Sequence, residues 1–340
     1  MGENRSVVTV RSTSWKVAEM FLRASERVVW LGVFVALWIA PAWAQPDTLR
    51  IPFWIQADVS ASGQALSPEE IKVQLGVETG QVRQVLGPED GTLILLIADL
   101  SGSLTSAQLA KTALKKNIDE LPAHTRVALL RAQDGLRVLV DPGPERGPLL
   151  EALDSLQVSG RAGLLETIQP AVRLGDAILA KAAVRVSVLY VTDSEVGNYR
   201  EDFTNPTINS SDSGDLSRRF RDGLVRDRIA RLDASLAATQ TPVFIVHLNY
   251  RTDPLNQAYQ TGLMTLASTT GGNAWFCRSQ PEIGAAIGEA FSAIASQYSL
   301  VVEPPSEPLP KSLEVSLESP GRTLAWRSRF SFNKAARTER

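Results

Sequence analysis

An alternation of apolar runs with helical patterns constrains the fold of this chain most. Residues 93–98, 186–191 and 243–248 are almost entirely apolar, as is typical of strands that are buried on both faces of a parallel sheet. Segments with apolar residues at helical spacing follow or separate these runs. They are residues 104–121, 164–182, 220–236, 258–267 and 282–297. This order predicts an α/β fold with a doubly wound, mostly parallel sheet.

The two flanks of this region have a different pattern. Residues 45–90 and 299–340 lack long helical periodicity and contain alternating stretches such as Leu313, Val315 and Leu317. They predict a small β-rich module that is built from both ends of the chain. Prolines within residues 300–311 predict an extended linker. The domain prediction is therefore a central α/β domain at residues 91–298 between two β-rich flanks.

Residues 1–44 have the pattern of an export signal. Basic residues precede an uncharged run at residues 28–40, and Ala42-Trp43-Ala44 then matches the small-x-small pattern that signal peptidase cuts. Cleavage is predicted before Gln45, and Met20 is an alternative start. The export prediction places the protein in the periplasm or outside the cell, without a stable membrane span once the signal is removed. An uncleaved N-terminal anchor is the alternative.

Charge and cysteine content exclude some functions. Lys and Arg total 35 against 37 for Asp and Glu, which gives a formal charge of −2. Such a chain has no basic field to hold a phosphate backbone, so nucleic acid is not an expected partner. Cys277 is the single cysteine, so no internal disulfide can form, and we expect a buried, inert thiol.

Oxygen-bearing side chains follow two of the apolar runs. Asp99, Ser101 and Ser103 come directly after the first run and before a helix, and Asp193 comes directly after the second. Because ligands of α/β sheets bind at the carboxyl ends of strands, we expect these residues to meet there. Two carboxylates in one pocket repel each other unless a cation lies between them, and hydroxyls and carboxylates suit Mg²⁺.

The pattern Asp99-x-Ser101-x-Ser103, the later Asp193 and the order of elements resemble the von Willebrand factor type A (VWFA, or VWA) domain with its metal-ion-dependent adhesion site. The similarity is greatest to the VWFA-related domain of exported bacterial proteins that is often called the acidobacterial type. Further segments that resemble this family are residues 56–80, 267–276 and 294–300. The resemblance implies a non-catalytic protein that binds another protein. It also implies that Mg²⁺ or Mn²⁺ is held by these four residues, with a partner carboxylate completing the coordination.

One segment departs from the family. The family usually has a Gly-Gly-Thr-x-Leu loop whose threonine reaches the metal, but residues 160–164 are Gly-Arg-Ala-Gly-Leu, so Ala162 offers no oxygen. Thr167 lies too far along the following helix to substitute. Arg161, if it pointed inward, would oppose a cation or replace it electrostatically. The resemblance therefore implies a partly degraded site, in which water fills the gap.

Other interpretations of the same residues remain open. Ser103 is a good helix N-cap, and the protein could be a structural or assembly module that needs no metal. A periplasmic hydrolase that uses Ser101 or Ser103 is a further alternative, although no Gly-x-Ser-x-Gly motif is present. His124 and His247 lack metal-ligand spacing, and His247 is predicted to be a hydrogen-bonded core residue. The polar stretch at residues 198–215 is predicted to be a surface loop that shapes partner choice.

Overall fold

The computed structural model describes residues 48–58, 66–199, 216–304 and 309–332. The predicted export signal and almost all of the polar stretch at residues 198–215 lie outside the described residues. The described residues form thirteen strands and six α-helices. The strands are β1 (Leu49–Asp58), β2 (Lys72–Leu75), β3 (Glu78–Leu86), β4 (Thr92–Asp99), β5 (Thr125–Arg131), β6 (Arg137–Val140), β7 (Arg185–Thr192), β8 (Val243–His247), β9 (Ala274–Phe276), β10 (Tyr298–Glu303), β11 (Ser312–Glu318), β12 (Arg322–Trp326) and β13 (Arg329–Ser331). The helices are α1 (Leu104–Glu120), α2 (Gly147–Ser155), α3 (Leu164–Leu179), α4 (Leu216–Leu236), α5 (Pro254–Thr270) and α6 (Glu282–Ala295).

Six strands form the sheet that positions the site, in the order β6-β5-β4-β7-β8-β9. Strands β5, β4, β7, β8 and β9 are parallel to their neighbours, and β6 returns antiparallel to β5 as a hairpin. All side chains of β4, β7 and β8 are buried, which explains their apolar sequences. The predicted α/β fold is confirmed.

The apolar faces of the helices cover this sheet. Ile94, Leu96 and Ala98 alternate along β4 and pack in one core cluster with residues of α1, α2 and α6. Helix α3 packs on β4 and β7, and α4 contacts both α3 and α5. Helix α2 was not expected from the sequence, because a short helix that begins with Gly147-Pro148 carries little periodic signal.

The other seven strands form an antiparallel sheet in the order β12-β1-β10-β3-β2-β11-β13. Its two outermost strands, β12 and β13, are nearly consecutive in the chain, so the sheet curls around its own apolar interior. The predicted linker at residues 300–311 is wrong in its first part, because β10 lies between β1 and β3. Leu300 and Val302 of β10 are fully buried in this interior.

Three buried arginines donate hydrogen bonds to carbonyl oxygens near the ends of helices. Arg50 of β1 donates to carbonyls at the end of α3, Arg185 to carbonyls at the end of α6, and Arg327 to carbonyls just after α4. A helix C-terminus carries partial negative charge and unpaired carbonyls, so it can accept hydrogen bonds from a buried guanidinium. The described residues all fall within one compact unit. In the part of the chain that the structure describes, no helix has the length and apolarity needed to cross a membrane.

Candidate functional site

The candidate site lies where three neighbouring parallel strands end. Strands β5, β4 and β7 are adjacent, and Asp99 at the end of β4 is in register with Thr192 of β7. The backbone N–H of Asp193 donates to the carbonyl oxygen of Asp99 at 3.2 Å. The structure therefore brings together the two aspartates that are far apart in the sequence.

The Asp193 carboxylate fixes the loop between β4 and α1. Its Oδ1 accepts from the backbone N–H of Ser101 at 2.8 Å, and its Oδ2 accepts from those of Gly102 at 2.8 Å and Ser103 at 2.9 Å. A Cβ atom on Gly102 would lie 3.2 Å from Asp193 Oδ2, so glycine permits this close approach. The protein's own hydrogen bonds thus shape the loop.

Asp99 carries a buried charge that is only partly compensated. Its side chain is fully buried; Oδ1 accepts from the Gly163 N–H at 2.9 Å, and Oδ2 accepts from the Thr192 hydroxyl at 3.0 Å. Desolvation by burial raises the pKa of Asp99 to about 6; the Gly163 and Thr192 hydrogen bonds lower it, and the nearby Asp193 charge raises it. A cation beside this carboxylate would stabilise its ionised form.

The two serines of the loop differ in their contacts. Ser103 is the N-cap of α1, and its Oγ accepts from the Ser106 N–H at 3.2 Å. Ser101 Oγ is buried and has no hydrogen-bond partner among the residues that the structure describes. A cap and a ligand are compatible roles for Ser103, because a hydroxyl has two acceptor lone pairs.

The loop that departs from the family pattern places no side-chain hydroxyl at position 162. Ala162 is buried, whereas Arg161 is exposed. Thr167 Oγ1 donates to the Gly163 carbonyl at 2.6 Å and lies 2.9 Å from the Tyr190 hydroxyl. Thr167 is thus occupied elsewhere, as its position in the sequence led us to expect.

The oxygen atoms of this site fit a small hard cation. Two carboxylates and two hydroxyls supply only oxygen ligands, which Mg²⁺ prefers. Ser101 Oγ is a buried oxygen without a hydrogen-bond partner among the described residues, so it could bind the cation without losing another contact. Among the described residues, no group of three or more His, Cys, Asp or Glu side chains could hold a metal ion. Binding at this site would therefore depend on the hydroxyls and on water.

The histidines do not support the hydrolase alternative. His247 is buried, its Nε2 lies 2.7 Å from the Ser194 carbonyl oxygen, and burial lowers its pKa to about 4. This confirms the predicted core histidine. His124 Nε2 lies 3.0 Å from the Pro88 carbonyl oxygen. Cys277 is buried as predicted, and desolvation raises its thiol pKa to about 11.

Sequence reasoning missed three residues that contact the site. Thr192 and Gly163 hydrogen-bond to the Asp99 carboxylate, and Gln133, two residues after β5, donates from Nε2 to the Leu100 carbonyl oxygen at 2.7 Å. The position of Thr192 at the end of an apolar strand was a usable signal. The pattern Gln133-Asp134-Gly135 has the Asp-Gly pair that is typical of a hairpin turn, and the β5–β6 hairpin is found there, so the pattern itself does not indicate a site residue.

No known family profile and no curated protein matches the sequence of this chain. Solved structures that are similar to it include VWA domains. One is a von Willebrand factor type A protein from Catenulispora acidiphila, with 12% identity, a TM-score of 0.43, and coverage of 85% of this chain and 74% of that chain. Another is the vWF domain of the type V pili tip protein Mfa5 from Porphyromonas gingivalis, with 10% identity, a TM-score of 0.40, and coverage of 62% and 95%. The PilB minor pilin from Streptococcus sanguinis shows 9% identity, a TM-score of 0.43 and coverage of 63% of both chains. Function does not follow from similarity of fold at this level.

Proposed function

We propose that this chain is an exported, non-catalytic binding protein with a doubly wound, VWA-like domain at residues 91–298. The domain would hold Mg²⁺ or Mn²⁺ at Asp99, Ser101, Ser103 and Asp193 and bind a protein partner there. The flanks at residues 45–90 and 299–340 would form its β-rich module.

The observation that carries this proposal is the unpaired hydroxyl of Ser101. A buried polar atom without a hydrogen bond costs about 1–3 kcal/mol, and native structures retain few of them without a reason. Ser101 Oγ lies in the same loop as Ser103 and next to the strand end that carries Asp99, whose buried charge lacks a cationic partner among the described residues. A divalent cation would satisfy both groups at once.

Each residue has a distinct task in this arrangement. Asp193 holds the β4–α1 loop through three backbone N–H groups, so the oxygens of Ser101 and Ser103 are held in position beforehand. Asp99 supplies buried negative charge, and Gly163 and Thr192 orient its carboxylate. When bound, the cation supplies a positive charge to which a carboxylate of the partner binds. The missing threonine oxygen would be replaced by another ligand or by water.

Calorimetric titration of the purified protein with Mn²⁺ and Mg²⁺ tests the proposal. We expect the wild type to bind and Ser101→Ala to weaken binding by about tenfold or more, in the range that site residues typically contribute. In EDTA, Ser101→Ala should be at least as stable as the wild type, because Ser101 Oγ has no hydrogen bond to lose and its burial without a partner costs free energy. Ser106→Ala removes a neighbouring buried hydroxyl as the matched control and should leave the affinity unchanged. Absence of binding by the wild type, or equal affinity of Ser101→Ala, contradicts the proposal.

A metal-independent module is the second candidate, and the contacts of Asp193 favour it. Because three backbone N–H groups already satisfy this carboxylate, the loop keeps its shape without an ion. Partner capture from the native envelope fraction, with and without chelator, separates the two candidates. Capture that survives both chelator and Asp99→Ala supports the metal-independent module.

The export prediction belongs to the same proposal and has its own test. Mass spectrometry of the protein purified from the envelope or medium should give an N-terminus at Gln45. An intact N-terminal segment on the purified protein would indicate the uncleaved anchor instead.

A further inference from the structure

A second buried oxygen without a hydrogen-bond partner among the described residues belongs to Gln133. This side chain has no solvent exposure and lies just beyond the end of β5. Its Nε2 donates to the Leu100 carbonyl oxygen at 2.7 Å, whereas Oε1 has no hydrogen-bond partner among the described residues. The carbonyl of Leu100 requires a donor, so the amide group cannot be turned around. Gln133 Oε1 is therefore a buried acceptor that the described protein groups leave unsatisfied.

Gln133 contacts both the β4–α1 loop and the loop that contains Ala162. Leu100, which receives its hydrogen bond, directly precedes Ser101. On the other side, a Cβ atom on Gly160 would lie 3.3 Å from the Cβ of Gln133, so the side chain also borders the loop that contains Ala162. That loop is held against the turn after β5, because the Asp134 N–H donates to the Arg161 carbonyl at 3.1 Å. Gln133 thus lies on the side of the site where the family has its threonine.

The chemistry of an amide oxygen suits this position. Side-chain carbonyls of Asn and Gln are ordinary ligands of hard divalent cations, and like a threonine hydroxyl they are neutral. If glutamine takes the place of threonine, the ligand set still contains two carboxylates. Their two negative charges balance the two positive charges of the cation. The longer glutamine side chain allows the oxygen to come from the neighbouring strand end instead of from the 160–164 loop.

We propose that Gln133 Oε1 is a direct ligand of the divalent cation and takes the place of the missing threonine. This inference rests on the proposed function, and it makes the site complete where the sequence alone indicates that it is degraded. Ser101 Oγ and Gln133 Oε1 are then the two neutral ligand oxygens that have no other hydrogen-bond partner among the described residues.

Titration of Gln133→Met with Mn²⁺ is the first test. Met matches glutamine in length but lacks the oxygen, and we expect the Kd to rise by about tenfold or more. Gln297→Met is the matched control, since Gln297 is also buried but its Oε1 accepts from Ser187 Oγ at 2.9 Å at the opposite edge of the sheet. Its Kd should equal that of the wild type. Unfolding in EDTA monitors whether each variant is folded.

A second test leaves Gln133 in place, so it holds even if Gln133→Met does not fold. If Gln133 already occupies the threonine position, Ala162→Thr in the wild type changes the Kd by less than about threefold, within the non-additivity expected of neighbouring groups. Adding Ala162→Thr to Gln133→Met should restore most of the lost affinity.

The outcomes separate the two proposals. If the wild type binds Mn²⁺ and Gln133→Met binds it equally well, the role of Gln133 is overturned and the proposed function stands. A gain of about tenfold from Ala162→Thr alone shows that the position is open and also overturns it. If the wild type binds no Mn²⁺ or Mg²⁺, both proposals fail.

Discussion

Removal of the Asp193 carboxylate should destabilise the protein even when no metal is present. The carboxylate accepts three backbone hydrogen bonds of 2.8–2.9 Å, and Asp193 is only 4% exposed. Hydrogen bonds to a charged group contribute about 1.5–3 kcal/mol each. Because the loop is only part-buried, water can replace some of them, and we expect Asp193→Ala to lower the free energy of unfolding by about 3–4 kcal/mol. For a protein of this size that corresponds to a fall in Tm of about 5–7 °C.

Urea denaturation in EDTA measures this loss for three variants. Asp193→Asn keeps one acceptor oxygen and turns an NH₂ group toward a backbone donor, so it should lose about half as much as Asp193→Ala. Asp154→Ala is the control: Asp154 is an exposed acid that pairs with Lys115 at 2.6 Å, and its loss should stay within about 0.5 kcal/mol. A loss below about 1 kcal/mol for Asp193→Ala would refute the view that the carboxylate shapes the loop.

Two further predictions concern buried carboxyls and glycines. Desolvation raises the pKa of Asp99, which is fully buried, and of Asp176, which is half-buried, to about 6, above the value of about 4 expected in the unfolded chain. The folded state therefore holds protons that the unfolded state has released, so each carboxyl should lower stability by about 2–3 kcal/mol as the pH rises from 4 to 7. In urea titrations without metal, Asp99→Asn and Asp176→Asn should each reduce this fall, and an unchanged pH dependence would count against the assignment. A Cβ on Gly163 would lie 2.0 Å from the Ala132 carbonyl oxygen, so Gly163→Ala should lower the free energy of unfolding by about 2 kcal/mol or more. A Cβ on Gly284 in α6 would meet no atom within 4 Å, so Gly284→Ala should raise the free energy of unfolding by about 0.5–1 kcal/mol. Thermal unfolding of the pair checks this, and equal Tm values would contradict it.

The sequence predicted the parts of the fold whose residues carry a strong periodic signal. Strands β4, β7 and β8 could be predicted from their local sequence alone. A strand that is buried on both faces has an almost continuous run of apolar residues. Part of strand β10 was wrongly predicted as linker. A short apolar segment next to several prolines has a local pattern that fits either a strand or an extended linker. Its identity depends on pairing with β1 and β3, which are distant in the sequence.

The candidate site was predictable only where residue type and strand end coincided. Asp99 and Asp193 met that condition. Gln133 did not, because a single glutamine in a hairpin turn has the local pattern of an exposed residue. Its burial depends on the neighbouring strand β4, which the local sequence does not show. The buried arginines Arg50 and Arg185 were equally hidden, since their partners are helix-end carbonyls that leave no mark in the sequence.

A crystal structure of the protein grown with Mn²⁺ tests the central claim most directly. The account predicts an anomalous scattering peak at the ends of β4, β5 and β7, within bonding distance of Ser101 Oγ and Gln133 Oε1 and beside the Asp99 carboxylate. Well-ordered density in which these two oxygens bind only water or protein groups, with no peak at saturating Mn²⁺, would contradict it.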